Sequence, residues 1–240
     1  MAGGTGLLGT AIARALAGAG AHVAITYLER RDAARETCAA VEALGRRAWS
    51  VALDQTSADA IPAAVEAAAG HFGRLDALVN NAAWNISIPF PDLQTLDAAV
   101  WDRLFSTNLR GPYLLARAAA PRLKASGAGR IVNIASAAGL HPGGSSIAYA
   151  TSKAGLIHLT RCLAVALAPE VSVNCVAPGL MEGTRMTSRL RPEVAEGARQ
   201  RAALRRAASV EDVAAQVVAF CRSDSVTGQV LNIDAGVFFH

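Results

Sequence analysis

Ile131-Val132-Asn133-Ile134-Ala135-Ser136, followed thirteen positions later by Tyr149-Ala150-Thr151-Ser152-Lys153, is the stretch whose reading decides the architecture. The apolar run 131–135 is short and reads as a buried strand that ends at Ser136. Apolar residues around the second motif (Ile147, Ala148, Ala150, Ala154, Leu156, Ile157) predict a helix over Ile147–Ala168, and Val171–Val176 is a second apolar run. Strand, helix, strand in this order is a βαβ unit, which makes the two strands parallel. Tyr149 and Lys153 are four apart and share a helix face. The expectation is that the ammonium favours the phenolate and lowers the phenol pKa from about 10, turning Tyr149 into a usable acid/base. Ser136, at a strand end, would deliver its hydroxyl to the same cleft.

The same rhythm extends outward in both directions. Toward the N-terminus, helix is expected at Thr10–Ala19, Asp32–Leu44, Ala58–His71 and Asp97–Ala125, the last curved near Gly111-Pro112. Strands are expected at His22–Thr26, Ala48–Leu53 and Leu75–Val79. Toward the C-terminus, Thr184–Arg206 reads as an irregular helical insertion, Val210–Arg222 as helix and Gln229–Ile233 as a last strand. This pattern predicts an α/β fold, a doubly wound parallel sheet covered on both faces. No linker divides the chain, so residues 1–240 are read as one domain, with 184–206 as an insertion on the substrate side. Ligands of such sheets sit beyond the carboxyl ends of the strands.

Gly3-Gly4-Thr5-Gly6-Leu7-Leu8-Gly9 suits a turn whose backbone amides approach a phosphate at a helix N-terminus. Such a turn normally follows a buried strand of about five residues. Only Met1-Ala2 precede it, so the first strand is missing from the chain. The expectation is a start lying downstream of the natural one or, failing that, a sheet with a hole or a substitute.

Of 240 residues, 52% are hydrophobic and 18% charged, enough for a large core. The net charge of +4 is modest. The arginines are scattered and lack an aromatic-basic stripe, which argues against a nucleic-acid partner. Cys38, Cys162, Cys175 and Cys221 are widely spaced without a CxxC or a Cys/His cluster, so no metal is expected. No apolar run reaches the roughly 18 residues of a membrane span, and no signal peptide is evident. The default compartment is the cytoplasm.

Taken together, Gly3…Gly9, Asp54, Asn80-Asn81-Ala82-Ala83, Asn108, Ser136, Tyr149-x-x-x-Lys153, Pro178-Gly179 and Gly228-Gln229…Asp234-Ala235-Gly236 resemble the short-chain dehydrogenase/reductase family. The resemblance is to its classical branch and within it to the 3-oxoacyl-[acyl-carrier-protein] reductase-like group, and it runs from residue 2 to about residue 236. Leu7, Ala83 and Ala235 depart from the family's glycines. The resemblance implies a Rossmann-like fold and an oxidoreductase interconverting a ketone and a secondary alcohol by hydride transfer. It assigns Tyr149 as general acid/base and Lys153 to tuning Tyr149 and bonding the nicotinamide ribose. Ser136 would hold the substrate oxygen, and Asn108 would support a water leading from Lys153 to solvent. The competing readings are a dinucleotide-binding sensor on the same fold and an NAD-dependent alcohol dehydrogenase.

The resemblance also implies a cofactor site. Gly3, Thr5, Gly6 and Leu8 would form the phosphate loop, and Asp54 and Gln55 would lie near adenine. Asn81 and Ala82 would pass the adenosine ribose, and Pro178, Gly179 and Met181 would close over the nicotinamide, with Thr184 a looser match. The end of the second strand reads Tyr27-Leu28-Glu29-Arg30-Arg31, without the acid that binds a ribose 2′-hydroxyl, and Arg30 could pair a 2′-phosphate. NADP(H) is therefore expected rather than NAD(H). Substrate walls are expected from Trp84, Asn85, Leu140, His141 and the Met181–Leu190 stretch, around a small-molecule carbonyl or alcohol. The resemblance implies a homo-oligomer, commonly a tetramer. Candidate contact surfaces are the helices around 97–125 and 147–168 and the end Val237-Phe238-Phe239, which could instead fold back on its own domain.

Overall fold

The computed structural model describes residues 1–184, 187 and 192–239. Eight α-helices and six strands alternate along them: α1 (Leu7–Gly18), β1 (Val23–Tyr27), α2 (Arg31–Glu42), β2 (Ala48–Ala52), α3 (Ala60–Phe72), β3 (Ala77–Asn80), α4 (Ala98–Phe105), α5 (Gly111–Ala125), β4 (Gly129–Ile134), α6 (Ile147–Leu167), β5 (Val171–Pro178), α7 (Pro192–Arg201), α8 (Val210–Arg222) and β6 (Val230–Ile233). Every strand pairing is parallel. Within the predicted insertion the described helix is α7, and the expected contact residues Arg185, Met186, Ser188, Arg189 and Leu190 lie outside the described residues.

The strands form two sheets, β1-β2 and β3-β4-β5-β6. Between them stands a stub of two residues. Met1 amine donates to Ala24 C=O and Thr26 N–H to Met1 C=O, at 2.6 and 3.0 Å. Ala2 N–H donates to Val79 C=O and Asn81 N–H to Ala2 C=O, at 2.9 and 3.1 Å. The expectation for this region was a start downstream of the natural one or, failing that, a hole or a substitute; Met1 and Ala2 bridge the two sheets at the end nearest the glycine loop.

Two apolar clusters sandwich the sheets. One gathers Ile12, Leu16, Val23, Ile25, Val79, Val213 and Val217, and the other Ala2, Ile61, Leu78, Leu115, Leu123, Ile131 and Val173. Strands buried on both faces read as continuous apolar runs, which is why β4 and β5 were plain in the sequence.

The long helical region expected at 97–125 runs without interruption from Ala98 to Ala125 and changes its winding just before Gly111-Pro112. Asp97 caps α4 by accepting Val100 N–H at 2.8 Å, and Ser106–Arg110 then form a π-helical turn closed by Gly111 N–H on Ser106 C=O. Pro112 has no N–H to return to Asn108 C=O four residues back, so the chemistry of the sequence favours a wider turn here.

Candidate active site

Ser136 follows β4, where its Oγ accepts Ala138 N–H at 3.2 Å and caps the short 3-10 turn Ala137–Gly139. Ser146 opens α6 with a backbone in the extended region and accepts Tyr149 N–H at 3.1 Å, an N-cap that fixes where the helix begins. Gly139 lets the turn press on α6, because a Cβ there would lie 2.7 Å from the Lys153 carbonyl carbon. These contacts bring Ser136, Tyr149 and Lys153 to one place, and the Ser136 hydroxyl hydrogen-bonds Tyr149.

The electrostatics differ from the expectation in one respect. Burial pushes the Tyr149 phenol up from its ordinary value, and the Ser136 hydrogen bond only partly opposes this. Lys153 is engaged elsewhere in this arrangement. The ammonium is 2% exposed, donates to Ile134 C=O at 2.8 Å, and sits 5.9 Å from the centre of the Tyr149 ring. Burial lowers the Lys153 pKa to about 8, with the Cys175 side chain opposing. Four-residue spacing placed the two side chains on one face, but it could not say that a strand carbonyl would claim the ammonium.

Asn108 lies in the π-helical turn and is fully buried. Its Oδ1 accepts Trp84 N–H, while its Nδ2 donates to Trp84 C=O, both at 2.9 Å, and to Ser152 Oγ at 3.2 Å. Ser152 in turn donates to Tyr149 C=O at 2.7 Å. Asn108 therefore clamps the loop after β3 to the helix that carries Tyr149. Ser152 and Ser146 are the members of this site that sequence reasoning missed; the Ser145-Ser146 pair before Ile147 was the available capping signal.

The expected cofactor residues gather at the carboxyl ends of the strands. Gly3 has φ +79°, and a Cβ there would lie 2.6 Å from Ala82 N; a Cβ on Gly9 would lie 2.3 Å from Gly3 C=O. Both glycines are demanded by the fold. Gly6 differs: a Cβ there would meet nothing within 4 Å, so the space beside it is left open. The amides of Leu7, Leu8 and Gly9 open α1 next to that space, an arrangement that suits a phosphate. Leu7, at the departure from the glycine pattern, is half exposed on the loop. Arg30 Nη1 donates to Thr5 C=O at 2.9 Å and, with Thr5, Gly6, Leu7, Thr10 and Glu36, lines a cavity of ≈ 450 Å³. Asn81 Nδ2 donates to Gly3 C=O at 2.7 Å, and Ala82 N–H donates to Ala2 C=O.

The other expected contact residues are placed as follows. The Leu8 side chain is buried in the core, so only its backbone faces the loop. The Gln55 amide is spent on Ala82 C=O and Thr107 C=O at 3.1 and 2.8 Å, which makes it a brace. Asp54 is exposed and accepts Thr56 N–H and Oγ1 through one oxygen. Tyr27 is half-buried at the end of β1. Pro178 ends β5, and Gly179 sits where a Cβ would lie 2.6 Å from the Asp234 side chain. Met181 packs against the core, and its C=O accepts from Thr184 and Thr187.

Among the expected substrate walls, Trp84 lies under the Arg103 guanidinium at 4.2 Å, and Asn85 is half-buried beside it. Leu140 packs against the cluster around Leu156 and Cys175. His141 packs against the Phe238 ring at 5.0 Å, so the chain end does fold back on its own domain up to Phe238, while Phe239 is exposed.

A family model described as Enoyl-(Acyl carrier protein) reductase matches residues 5–238. The 3-oxoacyl-[acyl-carrier-protein] reductase FabG of Aquifex aeolicus is 36% identical over 236 residues, 96% of this chain and 93% of that protein. The cis-4-hydroxycyclohexanecarboxylate dehydrogenase of Sinomonas cyclohexanicum is 36% identical over 233 residues, 95% of this chain and 91% of that one. A short chain dehydrogenase from Burkholderia cenocepacia J2315, solved in complex with NADP, superposes with TM-score 0.89 at 35% identity, covering 98% of this chain and 95% of its own.

Proposed function

Because the chain belongs to the short-chain dehydrogenase/reductase family of oxidoreductases, we propose that it interconverts a ketone and a secondary alcohol with NADP(H), using Tyr149 as general acid/base. The observation that carries the reading is the meeting of Ser136, Tyr149 and Lys153 after β4 and on α6, in a chain that also leaves open space beside Gly6. The bound dinucleotide supplies or accepts the hydride. Gly6 and the first amides of α1 would hold its pyrophosphate. Arg30 over Thr5, with no acid at the end of β1, favours a 2′-phosphate over a bare 2′-hydroxyl. Asp54, Asn81, Ala82, Pro178, Gly179 and Met181 edge the rest of the same sheet end.

The proton chemistry belongs to the chain. Burial keeps Tyr149 protonated near neutral pH, the form that donates to a carbonyl oxygen. Ser136 donates a hydrogen bond to that oxygen and stabilises charge as it develops. Once Tyr149 gives up its proton, the Lys153 ammonium favours the phenolate that results. Asn108 acts as a positioning residue, through Trp84 and Ser152. Trp84, Asn85, His141 and the 184–206 segment would face the substrate, a small carbonyl or alcohol. The α4–α5 and α6 faces expose Trp101, Tyr113 and Val165 beside a groove of ≈ 830 Å³, a surface suited to a second copy of the chain in a homo-oligomer. Solution mass measurement tests that part.

NADPH oxidation against a panel of ketones tests the function. Turnover is expected, and Tyr149→Phe should lose about a hundredfold or more of kcat while still binding NADPH. Undiminished turnover in the variant refutes the acid/base role. Tight NADPH binding without turnover on any ketone or alcohol favours the dinucleotide sensor.

A further inference from the structure

The buried stripe of α2 is Ala34, Thr37 and Val41. Ala34 and Val41 pack in the apolar cluster that also holds α1, and Thr37 between them is 1% exposed. Burying a hydroxyl costs free energy unless it is bonded, and valine has the same branched shape without that cost. A threonine here is explained by what its Oγ1 reaches. That atom lies 3.0 Å from Gly4 C=O, 3.0 Å from Ala33 C=O and 2.9 Å from Thr10 Oγ1. A hydroxyl carries one hydrogen. Ala33 C=O already takes the Thr37 N–H in the helical ladder, whereas Gly4 stands ahead of α1 and outside any helical ladder. The Thr37 hydrogen therefore belongs on Gly4 C=O, and the Thr10 hydroxyl donates to Thr37 in turn.

Gly4 is also where the glycine loop is fastened to the sheet. Its N–H donates to Thr26 C=O at 3.1 Å, and a Cβ there would lie 2.5 Å from Ile25 Cβ. Thr5, Gly6 and Leu7 follow directly and line the cavity of ≈ 450 Å³ together with Thr10 and Thr37. We propose that Thr37 is a positioning residue for the glycine loop: its hydroxyl, oriented by Thr10, holds Gly4 C=O toward α2 and so keeps the three residues that follow in place at the start of α1. A loop held in its binding shape has less freedom to lose when a ligand arrives, so the hold adds affinity. NADPH and NADH carry the same pyrophosphate and gain alike, unlike the Arg30 contact, which serves the 2′-phosphate. That gain rests on the reading of the loop as a dinucleotide site; the hold on Gly4 does not.

The test compares the parent with Thr37→Val, which keeps the shape and removes the hydroxyl, and Thr37→Ser, which keeps the hydroxyl. Amide exchange is followed at Gly4 and, as a distant reference, at Arg130, whose N–H donates to Asp76 C=O. In Thr37→Val the Gly4 amide should exchange about fivefold faster while Arg130 stays unchanged. NADPH and NADH should both bind about fivefold more weakly, by the same factor. Thr37→Ser should restore exchange and both affinities to within about twofold of the parent. Unchanged Gly4 exchange in Thr37→Val, or a rise shared equally by Arg130, overturns the hold, the second result meaning a general loosening of the fold. Faster exchange at Gly4 alone, with both affinities unaltered, supports the hold and overturns its contribution to binding. Faster exchange at Gly4 alone in a set of proteins that bind neither dinucleotide supports the hold and refutes the dinucleotide reading of the loop.

Discussion

Replacing Lys153 by methionine should stabilise this protein while silencing it. The ammonium is buried at 2% exposure, and its pKa falls from 10.5 to about 8, chiefly through desolvation. At about 1.4 kcal/mol per pH unit, holding it charged near neutral pH costs about 3 kcal/mol. The folded pKa lies below the unfolded one, so between pH 8 and 10.5 the unfolded chain keeps a proton that the folded chain has lost. Stability of the parent therefore rises with pH across that window, and the penalty is complete below it. Methionine keeps an apolar stem of similar reach but leaves Ile134 C=O without its donor, a loss of about 1–2 kcal/mol. The net expectation is a gain of about 1–2 kcal/mol near pH 7, read by urea unfolding with activity abolished. At about pH 9.5 the parent has recovered about 2 kcal/mol, and the gain should vanish or reverse. Tyr149 and Cys221, which burial shifts upward, titrate in both proteins and cancel to first order in the difference, whereas the Cys175 thiol, which Lys153 draws down, moves further up in the variant. A variant less stable near pH 7, by an amount that does not change with pH, refutes the reasoning.

Other substitutions probe the remaining parts of the site. Arg30→Ala should weaken NADPH binding by about tenfold or more and leave NADH within about twofold, because only the 2′-phosphate uses the guanidinium; calorimetric titration of both dinucleotides checks this, and equal losses contradict the assignment. Asn108→Ala removes the buried amide that bonds both the N–H and the C=O of Trp84, and should cost about 2–4 kcal/mol. Thermal unfolding should show a midpoint lower by about 5–15 °C, whereas a change of under about 2 °C would mean that water replaces the clamp.

The parts of the molecule that were legible in the sequence share a physical cause. β4 and β5 are buried on both faces, so their apolar runs are unbroken, and α8 carries a Ser209 cap and a regular stripe, so its bounds were read without error. α1 begins at Leu7, three residues before the expected start, because Gly6 caps it without any side-chain hydrogen bond and leaves no mark to read. The meeting of Ser136, Tyr149 and Lys153 was legible from strand-end position and helical spacing. The direction of the Tyr149 shift was not, since it depends on depth of burial and on Ile134 C=O, a backbone atom with no sequence signature. The π-helical turn shows only as Gly111-Pro112, which signals a break without specifying which residue is aimed inward.

Gly6 and Gly9 look alike in the sequence, yet they answer to different selections. A Cβ on Gly9 runs into Gly3 C=O, while a Cβ on Gly6 enters empty space. A saturation library sorted for soluble expression would therefore reject most codons at Gly9 and accept many at Gly6; the same library sorted for turnover would reject both. The difference between the two sorts is a map of which loop positions the polypeptide reserves for its guest and which it needs for itself.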